Sequence, residues 1–563
     1  MAELFVSKKS IKTLLSGMQG KKFIIPDFQR PYKWDEEKCE TLWNDIVTFK
    51  EENTDTTTEY FLGTIVTNQN DNGCPDVIDG QQRITSFFLL LRAFYKMLDG
   101  MAEDDQVVGL KSQVAPCLWD IDSISQKVTD KSLRHIESQV ATADDNDVFH
   151  SILETGDCII GAVDNYSKNY VFFLGKCREF ARENPLQWKQ LCVTILNRCI
   201  ILPIECNTQE TALTIFSTLN DRGLPLSDSD IFKAQIYRNL KTKEERTAFT
   251  ETWKELTEIC TQSFVTIDDV FRYYSHILRA RNNDKSKEVG LRKFYADNKY
   301  SRLKAVNLIE EIMDLAKFWR SVNTEIPPDD DAGYIISTEA SKYLHCLYNY
   351  PNEFWKYPTS VFFMKNKCNQ SFDIDFCLFL KKMTAFLFAK FLDAPTVNAI
   401  KDDIYAACIS IQSRNEFSID FELNDNLLSQ QIDNHSSSRI SRALLLLDAY
   451  LNPKQKELIP FRFEIEHIFP KKWQDTNYNG WSLDDAQLYL DRFGNKIVFE
   501  KKLNIQAGNG YFGVKKLRYS ASKIASVLDL SVYPKNDWVK TDIEERETSF
   551  KSTLITFFKN QLN

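Results

Sequence analysis

The sequence has no apolar run of bilayer length. Its strongest stretches, Phe87–Leu91 and Ala443–Leu447, fall far short of the roughly 20 residues a spanning helix needs. The start, Met1-Ala2-Glu3-Leu4-Phe5, lacks the basic segment and apolar core of a secretory signal, so a cytoplasmic protein without membrane contact is expected. No Cys-x-x-Cys pair occurs. The 13 cysteines are scattered singly and none lies beyond Cys408, which points to reduced, buried thiols and excludes a cysteine-built zinc site in the C-terminal part. There is no G-x-x-x-x-G-K-[ST] loop, so any nucleotide site must be of another kind. Internal repeats and extended low-complexity tracts are absent as well.

What is present suits a large soluble protein. At 563 residues the chain exceeds a single core and implies two to four domains. Short β-like runs (Phe23–Ile25, Phe61–Val66, Asp76–Ile78, Cys199–Ile204) alternate with amphipathic helices up to about residue 240. The stretch 241–440 is helical in pattern, and 441–563 returns to β-like runs at Phe461–Ile465 and Lys496–Phe499, followed by a helical pattern over Val514–Ile524. Polar stretches at 51–59, 141–147 and 281–288 read as surface loops. The expectation is a multidomain α+β chain with domains at 1–240, 241–440 and 441–563.

The net charge of −9 is unevenly placed. Residues 451–563 hold 18 Lys plus Arg against 14 Asp plus Glu, and residues 492–523 hold eight basic residues with Glu500 as the one acid. Such a stripe can neutralise backbone phosphates or be a solvated helix face. Lys471, Lys472, Arg492, Lys501, Lys502, Lys515, Lys516 and Arg518 are the candidate phosphate contacts, which position a nucleic acid without reading its sequence.

Beside that stripe lies Glu466-His467, at the end of the strand-like alternation Phe463-Glu464-Ile465. A carboxylate can hold Mg²⁺ as a hard oxygen donor, and an imidazole can deprotonate a water. Gly494-Asn495 opens the second β-like run, and Asn504 follows nine residues after Asn495. This order resembles the ββα-metal finger of HNH endonucleases. The resemblance implies Glu466 as a metal ligand, His467 as general base, Asn495 as the residue that positions the His467 loop and Asn504 as the remaining metal ligand, with Asn509 the alternative. The competing reading is a Glu-His pair at a strand end with two turn asparagines. The other histidines, His135, His150, His276, His345 and His435, have no such context and read as structural or surface residues.

A second constellation lies near the N-terminus. It comprises Ile25-Pro26-Asp27-Phe28-Gln29-Arg30, then Asp79-Gly80-Gln81-Gln82-Arg83 opening a helix with Ile84, Phe87, Phe88, Leu91 and Phe94 on one face, and Asn220-Asp221-Arg222-Gly223. Polar groups at a strand-to-helix turn make a natural phosphate site, with Gly80 allowing close approach, Arg30 and Arg83 as clamps and Asp79 on Mg²⁺ or water. Buried Arg–Asp pairing is the alternative. Tyr32, Trp34 and Trp43 are candidate base-stacking residues, though such aromatics are more often core.

Together these runs resemble the Asp-Gly-Gln-Gln-Arg domain, related to ParB and sulfiredoxin folds, fused to an HNH domain marked by Glu-His-Ile-x-Pro, Gly-Asn, Asn and Phe-x-x-Lys (here Phe512 to Lys515). That combination is similar to the GmrSD-type modification-dependent (type IV) restriction endonucleases. The resemblance covers about 1–240 and 440–525. It implies an NTP site (GTP, CTP, UTP or ATP) at Gln29, Arg30, Asp79, Gly80, Gln81, Gln82 and Arg83 with Asn220 and Gly223, NTP hydrolysis, and a Mg²⁺- or Mn²⁺-dependent nuclease that restricts foreign or modified DNA. A homo-oligomer stays open. The alternatives are an NTP-switched DNA-binding protein with a degenerate finger and an RNA-cutting abortive-infection toxin.

Overall fold

The structure, a computed structural model, describes residues 4–562 apart from 27–28, 54, 56, 71, 141–142, 160, 209–210, 213–214, 216–226, 287, 325, 331, 419–420, 475–477 and 479. The chain is α+β and divides into two compact units, Met1–Glu255 and Leu256–Asn563. No helix among the described residues is long and apolar enough to cross a membrane. All 13 cysteines are free.

The first unit is built on a mixed seven-stranded sheet. Its strands are β1 (Leu4–Val6), β2 (Lys9–Ser10), β3 (Phe23–Ile25), β4 (Tyr60–Gln69), β5 (Pro75–Asp79), β6 (Ile136–Ser138) and β7 (Cys199–Cys206). The order is β1-β7-β4-β5-β3-β6, with β2 also on β7. The β4–β7, β3–β5 and β3–β6 pairs are parallel, and β4–β5 is an antiparallel hairpin. β5 therefore sits inside the sheet and delivers its last residue, Asp79, to the start of the helix Gln81–Asp99.

That helix is buried on nearly every side. The expected face of Ile84, Phe87, Phe88, Leu91 and Phe94 is inside, and so are Leu89, Leu90 and Ala93. A helix apolar all round belongs in a core rather than on a surface. Each fully buried Phe or Leu contributes about 1.5–3 kcal/mol, so the helix and the turn that opens it are firmly placed. One expectation fails here and one is borne out. Ala143–Thr155 is a helix, not a loop. Tyr32 and Trp43 are core residues, Tyr32 stacked on Tyr166 and Trp43 edge-on to Phe180, so neither is free to stack on a base.

The second unit joins the helical middle to a two-stranded antiparallel hairpin, β8 (Phe463–His467) and β9 (Lys496–Glu500). Packing runs straight across the expected boundary at 440: Lys342 Nζ donates to the Gln455 carbonyl, His345 stacks on Phe461 and Lys551 pairs with Asp433. The long helix Lys540–Leu562 lies against the turn Phe493–Asn495 that precedes β9. After β9 the chain enters the helix Lys501–Ala507 at once, then Phe512–Tyr519 and Ala525–Ser531. Of the stretch Val514–Ile524, expected to be helical, only the part within Phe512–Tyr519 is, and Asn504 lies in the preceding helix Lys501–Ala507.

Candidate functional sites

In the first unit, Gly80 makes the strand-to-helix turn. Its φ of 85° is left-handed, and a Cβ there would stand 2.8 Å from the Ile65 side chain, so only glycine fits. The amides that follow are used to tie the motif segments together. Gln29 donates from Nε2 to the Ile78 carbonyl (3.2 Å), and Gln81 Nε2 donates to Gln29 Oε1 (3.1 Å). Gln82 accepts on Oε1 from the Lys33 and Trp34 N–H groups (2.7 and 3.2 Å) and donates to the Pro31 carbonyl (3.1 Å). The 29–34 loop is thereby fastened to the first turn of the helix.

The charged members are placed differently. Arg83 donates to the Thr64 carbonyl (3.1 Å), and its guanidinium lies over Gly63, 3.0 Å from where a Cβ would be. Burial lowers the Arg83 pKa, opposed by Asp79. Burial raises the Asp79 pKa, opposed by the Gly80 N–H, Arg83 and Arg30. Arg30 pairs with Asp230 (3.3 Å) and stays partly exposed. Asp79, Arg83 and Arg30 thus interact at the N-terminal end of a 19-residue helix, where N–H groups and the helix dipole favour an anion. Asn220 and Gly223 lie outside the described residues.

In the second unit, β8 and β9 pair with His467 opposite Lys496. Asn495 is fully buried and spends its side chain on the loop after His467. Its Oδ1 accepts from the Phe469 N–H (2.7 Å), and its Nδ2 donates to the carbonyls of Phe469 (3.0 Å) and Leu490 (2.9 Å). The Asn495 carbonyl takes the Ile468 N–H at 2.9 Å. His467 is half-buried, with Nε2 3.5 Å from Asp491 Oδ1, and Asp491 in turn pairs with Lys496 at 2.8 Å. Burial, helped by Lys471 and Lys496 and opposed by Asp491, pushes the His467 pKa down to about 4. The imidazole is therefore neutral near pH 7 and has a nitrogen free to accept a proton.

Glu466 points inward. Its Oε1 accepts from Lys515 Nζ (2.7 Å) and from the Tyr519 hydroxyl (2.8 Å), and Lys515 also donates to the His467 carbonyl (2.7 Å). Burial raises the Glu466 pKa and lowers that of Lys515, each opposed by the other. Two of the expected phosphate contacts are thereby corrected. Lys515, with a side chain 1% exposed, is the counter-ion of Glu466 and cannot reach solvent. Lys516 is half-buried and donates to the carbonyls of Tyr533 (2.5 Å) and Lys535 (3.3 Å). Arg492 is likewise engaged, on Glu547 (2.8 Å). Lys471, Lys472, Lys501, Lys502 and Arg518 are exposed.

The frame has parts that the sequence reading missed. Arg546 Nη1 donates to the carbonyls of Phe493 (3.0 Å), Gly494 (3.1 Å) and Lys496 (2.7 Å), holding the Asn495 turn against the helix Lys540–Leu562. Asp448 faces it, with a pKa raised to about 6 by burial and opposed by Arg546. A Cβ on Gly494 would stand 1.9 Å from the Ile543 carbonyl oxygen, which explains the glycine of the Gly-Asn pair. Asp491 had one visible hint, its place just before Arg492-Phe493-Gly494-Asn495. Arg546 and Asp448 had none, being far apart in sequence.

Both bonds to Glu466 fall on Oε1, so Oε2 is the oxygen a cation would take. Asn504 is half-buried on the helix Lys501–Ala507, which packs on β8 and β9. Asn509 is exposed and accepts the Lys472 N–H on its side chain (3.3 Å), so it serves the turn. A carboxylate and an amide oxygen are hard donors that fit Mg²⁺, with the Lys515 ammonium weakening the attraction. Among the described residues no group of three or more His, Cys, Asp or Glu could hold a metal by itself.

Two family models match the chain. That of the GmrSD restriction endonuclease N-terminal domain matches residues 11–237, and that of the GmrSD restriction endonuclease C-terminal domain matches residues 418–551. The chain belongs to the GmrSD restriction endonuclease family. No curated protein matches it. In this GmrSD chain each constellation falls inside one matched segment, and the helices of 238–417 lie outside both.

Proposed function

We propose that this GmrSD-family chain is a Mg²⁺-dependent DNA endonuclease, gated by a nucleoside triphosphate in its first unit, that restricts foreign or modified DNA in the cytoplasm. The observation that carries the nuclease reading is His467, a neutral imidazole at the end of a hairpin whose following loop is locked by Asn495. Asp491 near Nε2 favours the tautomer with its proton there, which leaves Nδ1 as the nitrogen that takes a proton from the attacking water. Glu466 through Oε2 and Asn504 would hold Mg²⁺, which when bound stabilises charge on the scissile phosphate and the leaving oxygen. Lys471, Lys472, Lys501, Lys502 and Arg518 bind the flanking phosphates.

For the nucleotide, the helix N-terminus behind Gly80 receives a phosphate, Arg83 and Arg30 pair with its charge, and Asp79 orients a cation or water. NTP hydrolysis and gating belong to this proposal, and they rest on the family and on the arrangement of these three side chains. One observation favours a second reading. Lys515 neutralises Glu466, the carboxylate expected to hold the metal, as expected of a DNA-binding protein with a degenerate finger.

The test compares wild-type protein and Arg83→Ala on supercoiled plasmid with Mg²⁺, modified and unmodified, with and without GTP, CTP, UTP or ATP. Nucleotide-dependent nicking in the wild type that becomes nucleotide-independent, or is lost, in Arg83→Ala supports gating. Identical dependence in both would sink it. Cleavage of RNA in place of the plasmid would redirect the nuclease to RNA.

A further inference from the structure

The helical stretch 238–417, which lies outside both family matches, encloses a small cavity of its own. Its volume is about 180 Å³. One wall is the helix Leu308–Thr324, with Asp314, Lys317, Arg320 and Ser321. The others are the loop that carries Asp329 and Tyr334, and Lys367, which directly follows the helix Lys356–Asn366. Arg320 and Ser321 stand three and four residues after Lys317, so all three share one side of their helix.

The charged residues of this lining pair with one another. Arg320 Nη2 donates to Asp329 Oδ1 at 2.7 Å, Lys317 Nζ stands 3.8 Å from Asp329 Oδ2, and Lys367 pairs with Asp314. Two buried polar atoms of the lining nevertheless have no partner, Arg320 Nε and Ser321 Oγ. Ser321 is only 7% exposed. Buried polar groups in a folded chain are nearly always hydrogen-bonded, so such a pair of neighbours needs an explanation. A guanidinium N–H can only donate and a hydroxyl can donate, so a single acceptor between them satisfies both.

Size and charge narrow the acceptor. The volume is about six times the ~30 Å³ that one water takes in the liquid. It is well below the roughly 300–1,000 Å³ of pockets for drug-sized ligands, so it suits a small ion rather than a whole nucleotide. Among the described lining residues three bases face two carboxylates, which favours an anion. Ser321, Asp329 and Tyr334 also line a wider groove, whose described lining adds Asp330 and Asp373 and holds no base. Carboxylates along that groove repel an extended polyanion such as nucleic acid, which leaves a free small one.

We propose that this cavity binds a small oxyanion, phosphate or a short carboxylate, which accepts from Arg320 Nε and Ser321 Oγ while Lys317 and Lys367 supply flanking positive charge. Asp329 keeps its bond to Nη2 of Arg320, so the ion joins the existing pair without replacing it. The inference is independent of the nuclease and nucleotide readings.

The experiment is calorimetry on the full chain in Tris-chloride, titrated separately with phosphate, acetate and further chloride. Phosphate or acetate should bind saturably at one equivalent per chain, and the one that binds identifies the ion; chloride should give no saturable heat. Ser321→Ala removes one donor and leaves the ion pairs in place. It should weaken binding about tenfold, because a hydrogen bond to a charged group is stronger than one between neutral groups. Arg320→Lys, which keeps the charge but lacks Nε, should weaken it at least as much. Arg83→Ala should leave it unchanged, which separates this cavity from the phosphate site proposed in the first unit. In chloride alone Ser321→Ala should melt with the wild type, since its hydroxyl has no protein partner to lose. No saturable binding of either oxyanion overturns the proposal, and so does equally tight binding in Ser321→Ala and Arg320→Lys. Binding lost in Arg83→Ala alone, or a Ser321→Ala variant that melts well below the wild type in chloride, overturns it too.

Discussion

The two constellations divide their polar side chains in opposite ways. In the first unit the frame is made of neutral amides, Gln29, Gln81 and Gln82, which tie one motif segment to the other. The groups facing the helix N-terminus are charged: Asp79, Arg83 and Arg30. In the second unit the frame is ionic, with Glu466–Lys515 behind the strand and Arg546–Asp448 behind the turn. The group at the edge, His467, is neutral. At the helix N-terminus Arg83 is held by the Thr64 carbonyl and Arg30 by Asp230, so on the proposed reading a phosphate would compete with those partners. A proton acceptor must be uncharged, which burial, helped by Lys471 and Lys496, favours at His467.

This contrast ranks the expected effects. Lys515→Met should be the most damaging, because it leaves the Glu466 carboxylate buried without its partner, at a cost of about 3–5 kcal/mol. The double variant Glu466→Gln/Lys515→Met should recover most of that loss in thermal melts, and a double variant as unstable as the single would break the ionic-frame account. In the first unit Gln82→Ala removes three hydrogen bonds between neutral groups and should cost only about 1–3 kcal/mol. Its signature should be weaker NTP binding in calorimetry as the 29–34 loop loosens.

The pH response should be shared by both units, since burial also lowers the His150 pKa in the first unit to about 4. His467 and His345 in the second unit both have pKa values lowered to about 4, and burial is the largest cause in each. Folding therefore favours their neutral forms. The unfolded chain takes up protons below its ordinary histidine pKa of about 6.5 while the fold does not, so stability present above that pH is lost as pH falls towards 4. Urea midpoints measured between those limits should decline steadily. Substituting His345→Phe should flatten the decline, and an unchanged slope would count against it. The smallest effect is expected at the surface: Lys501→Ala with Lys502→Ala should reduce the salt slope of DNA binding by about 2.

Much of this arrangement was legible because the chemistry sits in short, distinctive runs. β3, β5, β7 and β9 coincide with β-like stretches, and the helix after Gly80 shows in the spacing of Ile84, Phe87 and Leu91. β1, β2 and β6, two or three residues long, were not foreseen. The helix Lys501–Ala507 starts directly on Glu500 with no side-chain cap, so nothing announced it. Lys515 looked like its neighbours in the basic stripe, since only tertiary packing reveals that its side chain turns inward to Glu466. The same holds for Arg546, whose three carbonyl partners lie some fifty residues upstream.

The central claim is that His467 is the proton acceptor of a phosphodiester-cutting site. It is tested most directly by incubating wild-type and His467→Ala protein with supercoiled plasmid, Mg²⁺ and NTP, and following conversion to nicked and linear forms. The account predicts cleavage by the wild type and a loss of about 100-fold or more in the variant, with DNA binding retained. Equal cleavage by the two proteins, or none by either with DNA still bound, would contradict it.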